Sequence, residues 1–540
     1  MSNAVLRANT RNGPELRPRH APSTTRKAPE PQGGSTFLKD FLWVAPLLIL
    51  IVSVRAWNIG NFPFPNDDEG TYLAQAWAVR NGDLAHYTYW YDHPPFGWIQ
   101  LAGLAWLPTW LFPDLPTFVQ GRIAMLPVVA AGAVLVFVVG RRIGLGRPAA
   151  AFATLLYGLS PLAVTLHRQI YLDNFAVVWA LAAFALALSP RRHLWHHIAA
   201  GSAFALAILS KETIAVLLPV VLVTLWHGSH PRTRKFSFAG FGSGLVLTAL
   251  FYPLYATLKG ELVPGAGHVS LLGTLKFQLG GREGSGSVFQ DGTDANTLIL
   301  DWFSRDPYLL GAGCAAAVVG LAVRRLRPVA LAVLVLALVA LRPGGYLPQM
   351  YVAQVLPFLA LTVTGLGCAL IALVPSRHRA MRPAAVTAVL AVAVVFVAPH
   401  WYREDRDTVR GDDNGVYHAA SRWLRETPVG DRERTRVVTD GVLWLDAVEA
   451  GYRPGTGAIW HYKLDQDPAV ARTLPRGWKD IDYVVSTPAL RGEQHNLPTL
   501  RDLFEHSEPV ASFGEGDGRI DILQVDRADR RNQQLQKGEG

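Results

Sequence analysis

Residues 118–140 read FVQGRIAMLPVVAAGAVLVFVVG, and residues 141–147 read RRIGLGR. As a helix the first stretch is about 35 Å long at ~1.5 Å per residue, enough to cross a ~30 Å hydrocarbon core. The arginines behind it, Arg141, Arg142 and Arg147, have no acidic residue among them. An apolar run with a purely basic end is the mark of a membrane span and its cytoplasmic side.

The same unit recurs along the chain. Apolar runs near 41–58, 118–140, 148–166, 174–189, 196–210, 212–227, 236–256, 307–323, 328–341, 348–374 and 383–400 read as spans. The clusters Arg191/Arg192, Arg232/Arg234/Lys235, Arg324/Arg325/Arg327 and Arg377/Arg379/Arg382 are again free of acids. Placing every cluster on one side requires an even number of crossings between neighbours, and two lie between each pair. The spans 41–58 and 118–140 carry a cytoplasmic N-terminus back to Arg141. One further apolar run, 96–112, has Pro94, Pro95, Pro108 and Pro113 in and around it. A crossing there would turn every later cluster outward, so it is expected to lie on the outer surface. The expected fold is a polytopic α-helical membrane protein of about 11 transmembrane helices in the cell membrane, its N-terminus cytoplasmic and its C-terminal domain outside.

Composition agrees. Of 540 residues half are apolar and 17% are charged, with Lys+Arg 51 against Asp+Glu 42, a net +9. The charge is uneven: roughly 11% over 40–400 and roughly 32% over 401–540, against ~25% in a typical soluble protein. This excludes an all-soluble enzyme, a disordered chain and a disulfide scaffold. Cys314 and Cys368 both fall in apolar runs. The positive charge is topological and calls for no nucleic acid. Residues 1–39 are basic, with Arg7, Arg11, Arg17, Arg19, Arg26, Lys27 and Lys39 against Glu15 and Glu30, and are expected to be a disordered cytoplasmic tail. Residues 40–400 form the membrane module, with outer loops 59–117, 167–173, 257–306 and 342–347. Residues 401–540 read as a soluble α/β domain. Its expected strands are 436–439, 481–486 and 519–525, its helices 442–450 and 497–505, and its end frays from about Asp526.

The outer loops carry the chemistry. Asn66-Asp67-Asp68-Glu69-Gly70-Thr71-Tyr72 places three carboxylates just outside the first span. Helix capping accounts for one acid. Three together point to a general base or a metal ligand. His167-Arg168-Gln169-Ile170-Tyr171-Leu172-Asp173-Asn174 sets Arg168 and Asp173 at a depth where ionisable groups tend to be functional. Interfacial anchoring explains Arg168 and Tyr171, and explains the short Asp173 poorly. Tyr91-Asp92-His93-Pro94-Pro95-Phe96 leads into the surface helix, where His93 reads equally as a turn residue or as a phosphate or metal contact. Ser210-Lys211-Glu212-Thr213 offers a cation for an anion, or a plain Lys–Glu helix end. Arg122 opens the second span, and Arg342 and Tyr346 edge another. Outer acids near outer cations suit a lipid-phosphate leaving group: cations take its charge and a carboxylate activates the acceptor hydroxyl.

Over residues 40–375 the chain resembles the C-type (GT-C) glycosyltransferases that use polyprenyl-phosphate sugars, in the branch of protein O-mannosyltransferases and the lipid A aminoarabinose transferase. The marks are Asp68-Glu69 with Tyr72, Asp92-His93-Pro94-Pro95-Phe96, Arg122 and Asp173, with Ser210-Lys211 and the 346–357 stretch more weakly. The branch often has Lys where this chain has His93, and Gly where it has Glu212. The C-terminal domain resembles those of actinobacterial members. The resemblance implies that a sugar, hexosyl or pentosyl, passes from the carrier to an extracytoplasmic acceptor hydroxyl on a glycan, lipid or protein, with inversion. Asp68 is then the base, and Asp173 and Glu69 are supporting carboxylates. Arg168, Lys211, His93 and Arg122 hold the phosphate, and Tyr72 and Tyr346 complete the substrate-binding set. No cofactor is certain; a divalent metal ion would fall to Asp68 and Asp173. The competing reading is a transporter or lipid flippase with an outer acidic site. It is disfavoured because the charges cluster outside and the two halves show no symmetry.

Overall fold

The computed structural model describes residues 33–82, 93–265, 270–374 and 381–526. Most of the expected disordered tail, Tyr91 and Asp92, Arg377 and Arg379, and the expected frayed end lie outside them. The helices up to the sheet are α1 Gly33–Ala56, α2 Asp67–Arg80, α3 Phe96–Leu111, α4 Thr117–Ala124, α5 Leu126–Arg142, α6 Arg147–Leu159 and α7 Pro161–Leu166. They continue with α8 Leu172–Ala187, α9 Leu194–Ser210, α10 Leu218–Gly228, α11 Arg234–Ala249, α12 Phe251–Leu258, α13 Leu271–Lys276 and α14 Asp294–Arg305. The last are α15 Pro307–Gly320, α16 Arg327–Ala340, α17 Leu356–Ala372, α18 Met381–Val392, α19 Ala398–Arg410 and α20 Gly415–Glu426.

Among the described residues four helical segments are long and apolar enough to cross a membrane: Thr117–Arg142, Arg234–Leu258, Gln349–Ala372 and Met381–Glu426. Leu172–Ala187, Leu194–Ser210, Glu212–Gly228, Pro307–Gly320 and Arg327–Ala340 are shorter apolar helices. Two departures from the sequence expectation have local causes. The first helix starts at Gly33, so it takes in residues assigned to the tail. The run 148–166 is broken: Ser160 is extended, Pro161 opens α7, and the freed Gly158 carbonyl accepts from Arg55 Nη1 at 2.7 Å. Because α6 ends there, the Gly158 carbonyl has no helical N–H four residues on, and the guanidinium takes that place.

Beyond α20 the chain forms a five-stranded mixed sheet, β1 Val437–Thr439, β2 Ala458–Trp460, β3 Tyr483–Ser486, β4 Ser507–Phe513 and β5 Ile520–Val525, in the order β2-β1-β3-β5-β4. β1 is parallel to β2 and β3, and β5 is antiparallel to β3 and β4. The helix α21, Gly441–Glu449, connects β1 to β2. Central β1 is buried at every position, as a strand covered on both faces must be.

One face of this sheet is not a separate body. Tyr72, Leu73 and Trp98 of the first outer loop and Phe118 of α4 share one apolar core with Tyr417, Leu443, Trp444, Val485 and Ile520. The approach is close because glycine allows it: a Cβ on Gly70 would stand 2.0 Å from the Gly441 carbonyl carbon. Polar ties surround that core. Asp446 accepts from Thr117 Oγ1 at 2.7 Å and Ser421 Oγ at 2.5 Å, and Asn414 Nδ2 donates to the Gly60 and Pro63 carbonyls. The C-terminal sheet therefore fixes the position of α2, which carries the acidic motif.

Candidate active site

Asn66 caps α2. Its side chain accepts from Asp68 N, and Glu69 Oε1 accepts from Asn66 N at 3.2 Å, a reciprocal capping box. The capping arrangement sends the three acids in different directions. Glu69 turns inward and is fully buried against Arg122, which donates from Nε at 2.9 Å and from Nη2 at 2.7 Å. Ile170 N also donates to Glu69, at 3.1 Å. The pair joins the first outer loop, the second outer loop and the start of the second span.

Arg168 is committed to backbone. Its guanidinium donates to the carbonyls of Trp57 at 2.8 Å, Asn58 at 2.7 Å and Phe62 at 3.0 Å. These lie where α1 ends and leaves carbonyls unpaired. Arg168 is fully buried, and so is Tyr171, which the sequence placed as an interfacial anchor.

Asp67 reaches the C-terminal sheet, where its Oδ1 accepts from Gly441 N at 2.7 Å. It thus shares the N-terminus of α21 with the cap Asp440, which accepts from Leu443 N at 2.9 Å and from Tyr417 at 2.9 Å. Burial first, then the neighbouring Asp440, pushes Asp67 up to about 7, against the pull of the Gly441 N–H. Burial likewise raises Asp440.

Asp68 differs from both. It is half-buried, and among the described residues nothing hydrogen-bonds its carboxylate. One turn on, Tyr72 shares its helix face. The Tyr72 ring lies 6.0 Å from that of His93.

His93 opens a polar chain. Lys211 Nζ donates to His93 Nε2 at 2.7 Å, and His93 Nδ1 donates to Glu212 at 3.1 Å. Together these assign a neutral ring with its proton on Nδ1. The two residues that depart from the family pattern, His93 and Glu212, are therefore partners. Lys211 and His93 are buried, and the Lys211 charge acts on Asp173. Asp173 is buried at the start of α8, and its Oδ1 accepts from Gln354 Nε2 at 2.6 Å. The same amide donates to Thr213 at 2.7 Å. Asp173 Oδ2, Gln354 Oε1 and the Tyr171 hydroxyl are buried without a partner among the described residues. Tyr171, on the second outer loop, feels Glu69, Asp68, Arg122 and Asp173 together.

Tyr346 is elsewhere. Half-exposed, it stacks under the Arg282 guanidinium at 3.5 Å, on the loop 257–306. No group of three or more His, Cys, Asp or Glu that could hold a metal occurs among the described residues. The sequence reading missed Gln354, whose signal is an amide inside the apolar run 348–374, five residues beyond Gln349 at its edge. It also missed Arg55, a buried arginine inside the first span. Burial of a polar group in such a run demands a partner.

Residues 92–255 match the dolichyl-phosphate-mannose-protein mannosyltransferase family. No curated protein matches the chain in sequence. Among solved structures, ArnT from Cupriavidus metallidurans in the apo state superposes with a TM-score of 0.55 at 18% identity, over 91% of this chain and 98% of that one. The same protein bound to undecaprenyl phosphate gives 0.54 at 16% identity, over 91% and 98%. The Archaeoglobus fulgidus oligosaccharyltransferase in its apo form gives 0.51 at 14%, over 92% and 76%. The chain has the fold of the C-type glycosyltransferases, and over residues 92–255 it matches their protein mannosyltransferase family in sequence.

Proposed function

We propose that this chain transfers one sugar, hexosyl or pentosyl, from a polyprenyl-phosphate carrier to an extracytoplasmic acceptor hydroxyl, at the outer face of the cell membrane. The fold and the family match support glycosyl transfer from a lipid-linked donor. The observation that carries the assignment of roles is the Asp68 carboxylate, which has no hydrogen-bond partner among the described residues and lies on the same helix face as Tyr72, thus toward the buried His93–Lys211 pair.

Asp68 is the general base that takes the proton of the acceptor hydroxyl. The acceptor oxygen attacks the anomeric carbon as the bond to the carrier phosphate breaks, and a single displacement inverts that carbon. Lys211 receives the negative charge that develops on the phosphate, in a water-poor setting where a fixed cation counts most. Glu212 and His93 hold the Lys211 ammonium in place, so His93 acts through Lys211. Asp173, held by Gln354, keeps Oδ2 for a sugar or acceptor hydroxyl, and the Tyr171 hydroxyl serves the same need.

Glu69, Arg122 and Arg168 belong to the framework. Their polar atoms are spent on one another and on backbone, which leaves them poor partners for a phosphate. Tyr346 serves the rim formed by loop 257–306. Asp68 and Asp173 would hold a divalent ion together with substrate oxygens. Such an ion would add positive charge at the leaving phosphate.

The purified chain, given radiolabelled polyprenyl-phosphate mannose, glucose or arabinose with an extract of envelope acceptors, is expected to release free polyprenyl phosphate from one carrier only when acceptor is present. No release from any carrier by folded protein would reject the reading.

A further inference from the structure

The helices that carry the candidate site end at a second polar site. Arg122 lies just before α5, Asp173 opens α8, and Lys211 and Glu212 begin the turn that leads into α10. Each helical stretch then runs about 16 residues or more, which is ~24 Å at ~1.5 Å per residue, most of a hydrocarbon core. At the far end, the C-termini of α5, α8 and α10 and the turn between α15 and α16 surround an open cavity of about 430 Å³. That size is within the ~300–1,000 Å³ of ligand sites.

Its chemistry is one-signed. Arg142, His227, Arg324 and Arg325 line it beside Leu188 and Val323. The connections 141–147, 189–193, 227–235 and 321–328 contain no Asp or Glu. Two of the basic groups have structural work. Arg142 donates to the Ala185 carbonyl, and His227 bonds the Val223 carbonyl at 2.8 Å, each serving a helix C-terminus. Arg324 and Arg325 are exposed, and among the described residues neither pairs with an acid. Arg325 lies over Gly144, where a Cβ would stand 3.2 Å from its Nη1 and where φ is +94°. Glycine there gives the guanidinium room beside the cavity. Topology explains why this end is basic. It does not require the charges to surround a concavity with apolar walls.

We propose that this cavity binds a phosphate group, that of an anionic lipid headgroup in the cytoplasmic leaflet. The Arg324 and Arg325 guanidinium forks take the phosphate oxygens, and Leu188 and Val323 take the first methylenes of the chain. Basic pockets between helices on this side of a membrane suit such headgroups. Bound lipid clamps the ends of α5, α8 and α10, and so steadies the bundle beneath the transfer site. The inference rests on the cavity and on the topology, and does not depend on the identity of the sugar donor.

The test uses the full chain in phosphatidylcholine nanodiscs with added phosphatidylglycerol, with more phosphatidylcholine, or with inorganic phosphate. Bound lipid is counted by native mass spectrometry and stability by thermal melting. Phosphatidylglycerol is expected to be retained and to raise the melting temperature, and Arg324→Gln/Arg325→Gln to lose at least about tenfold in retention. Arg324→Lys/Arg325→Lys keeps the topological charge and so controls for misinsertion. It should fold as wild type yet retain the lipid several-fold less well, since Lys has no fork. A rise with inorganic phosphate alone would keep the phosphate site and reassign its source to a soluble compound. Equal retention of phosphatidylglycerol by wild type and both variants, or by none, would overturn the proposal.

Discussion

Replacing Glu69 by Gln separates framework from chemistry. Glu69 is fully buried and accepts from Arg122 Nε, Arg122 Nη2, Ile170 N and Asn66 N. An amide supplies one acceptor oxygen and turns an NH2 toward donors that have nowhere else to go. It also leaves the Arg122 guanidinium buried without a counter-charge. Breaking one side of such a pair costs about 3–5 kcal/mol. At ~2–4 °C per kcal/mol for domains of moderate size, the melting temperature of the purified protein should fall by roughly 10 °C. The double variant Glu69→Met/Arg122→Met removes both charges and should recover much of that loss, because no unpaired ion remains. Melting in detergent, followed by tryptophan fluorescence, gives all values in one series. A Glu69→Gln protein that melts with the wild type yet transfers no sugar would refute the framework role and return Glu69 to the reaction.

Other consequences follow from the same geometry. His93→Gln and Glu212→Gln should each raise KM for the carrier more than they lower kcat, by roughly tenfold, since the first disturbs the hydrogen bond that Lys211 makes and the second weakens the one that holds His93; equal loss in kcat with KM unchanged would contradict a positioning role. Gly70→Ala puts a Cβ 2.0 Å from the Gly441 carbonyl carbon. It should expose the sheet to limited proteolysis while the bundle stays intact, and an unchanged digest would count against the docking described. Asp67 is raised to about 7 by burial, so between its ordinary range and pH ~7 the folded state holds a proton that the unfolded chain has lost. Its contribution therefore declines as pH rises through that window. Asp67→Asn keeps the acceptor for Gly441 N, so its melting temperature relative to wild type should climb from pH 5 to pH 8, whereas a flat difference would remove Asp67 from the titration.

Much of the fold is legible because long apolar runs and acid-free arginine clusters are one-dimensional signals. The helices at 172–187 and 194–210 fall within two residues of their expected starts. In the C-terminal sheet the apolar β1, β3 and β5 are legible for the same reason. β2 is as short as β1 but follows Pro454-Gly455-Thr456-Gly457, which reads as loop, and exposed β4 carries Pro509 and a register shift between Pro509 and Ala511, which erase the alternation. The site is legible as residue types and not as partnerships. Glu69 and Arg122 are 53 positions apart, Asp173 and Gln354 are 181 apart, and no local pattern pairs them. Nor does composition separate Asp68, without a hydrogen-bond partner among the described residues, from Asp67 and Glu69, which are spent on the fold. That division comes from the helix turn, which points adjacent side chains about 100° apart.

The central claim is that Asp68 removes the acceptor proton while its neighbours hold the structure. The most direct measurement compares wild type with Asp68→Asn for sugar transfer and for carrier binding in the same preparation. Transfer lost by a factor of about 10² or more, as expected for a general base, with carrier binding and melting temperature unchanged, is the predicted result. Transfer by Asp68→Asn at the wild-type rate would contradict the account.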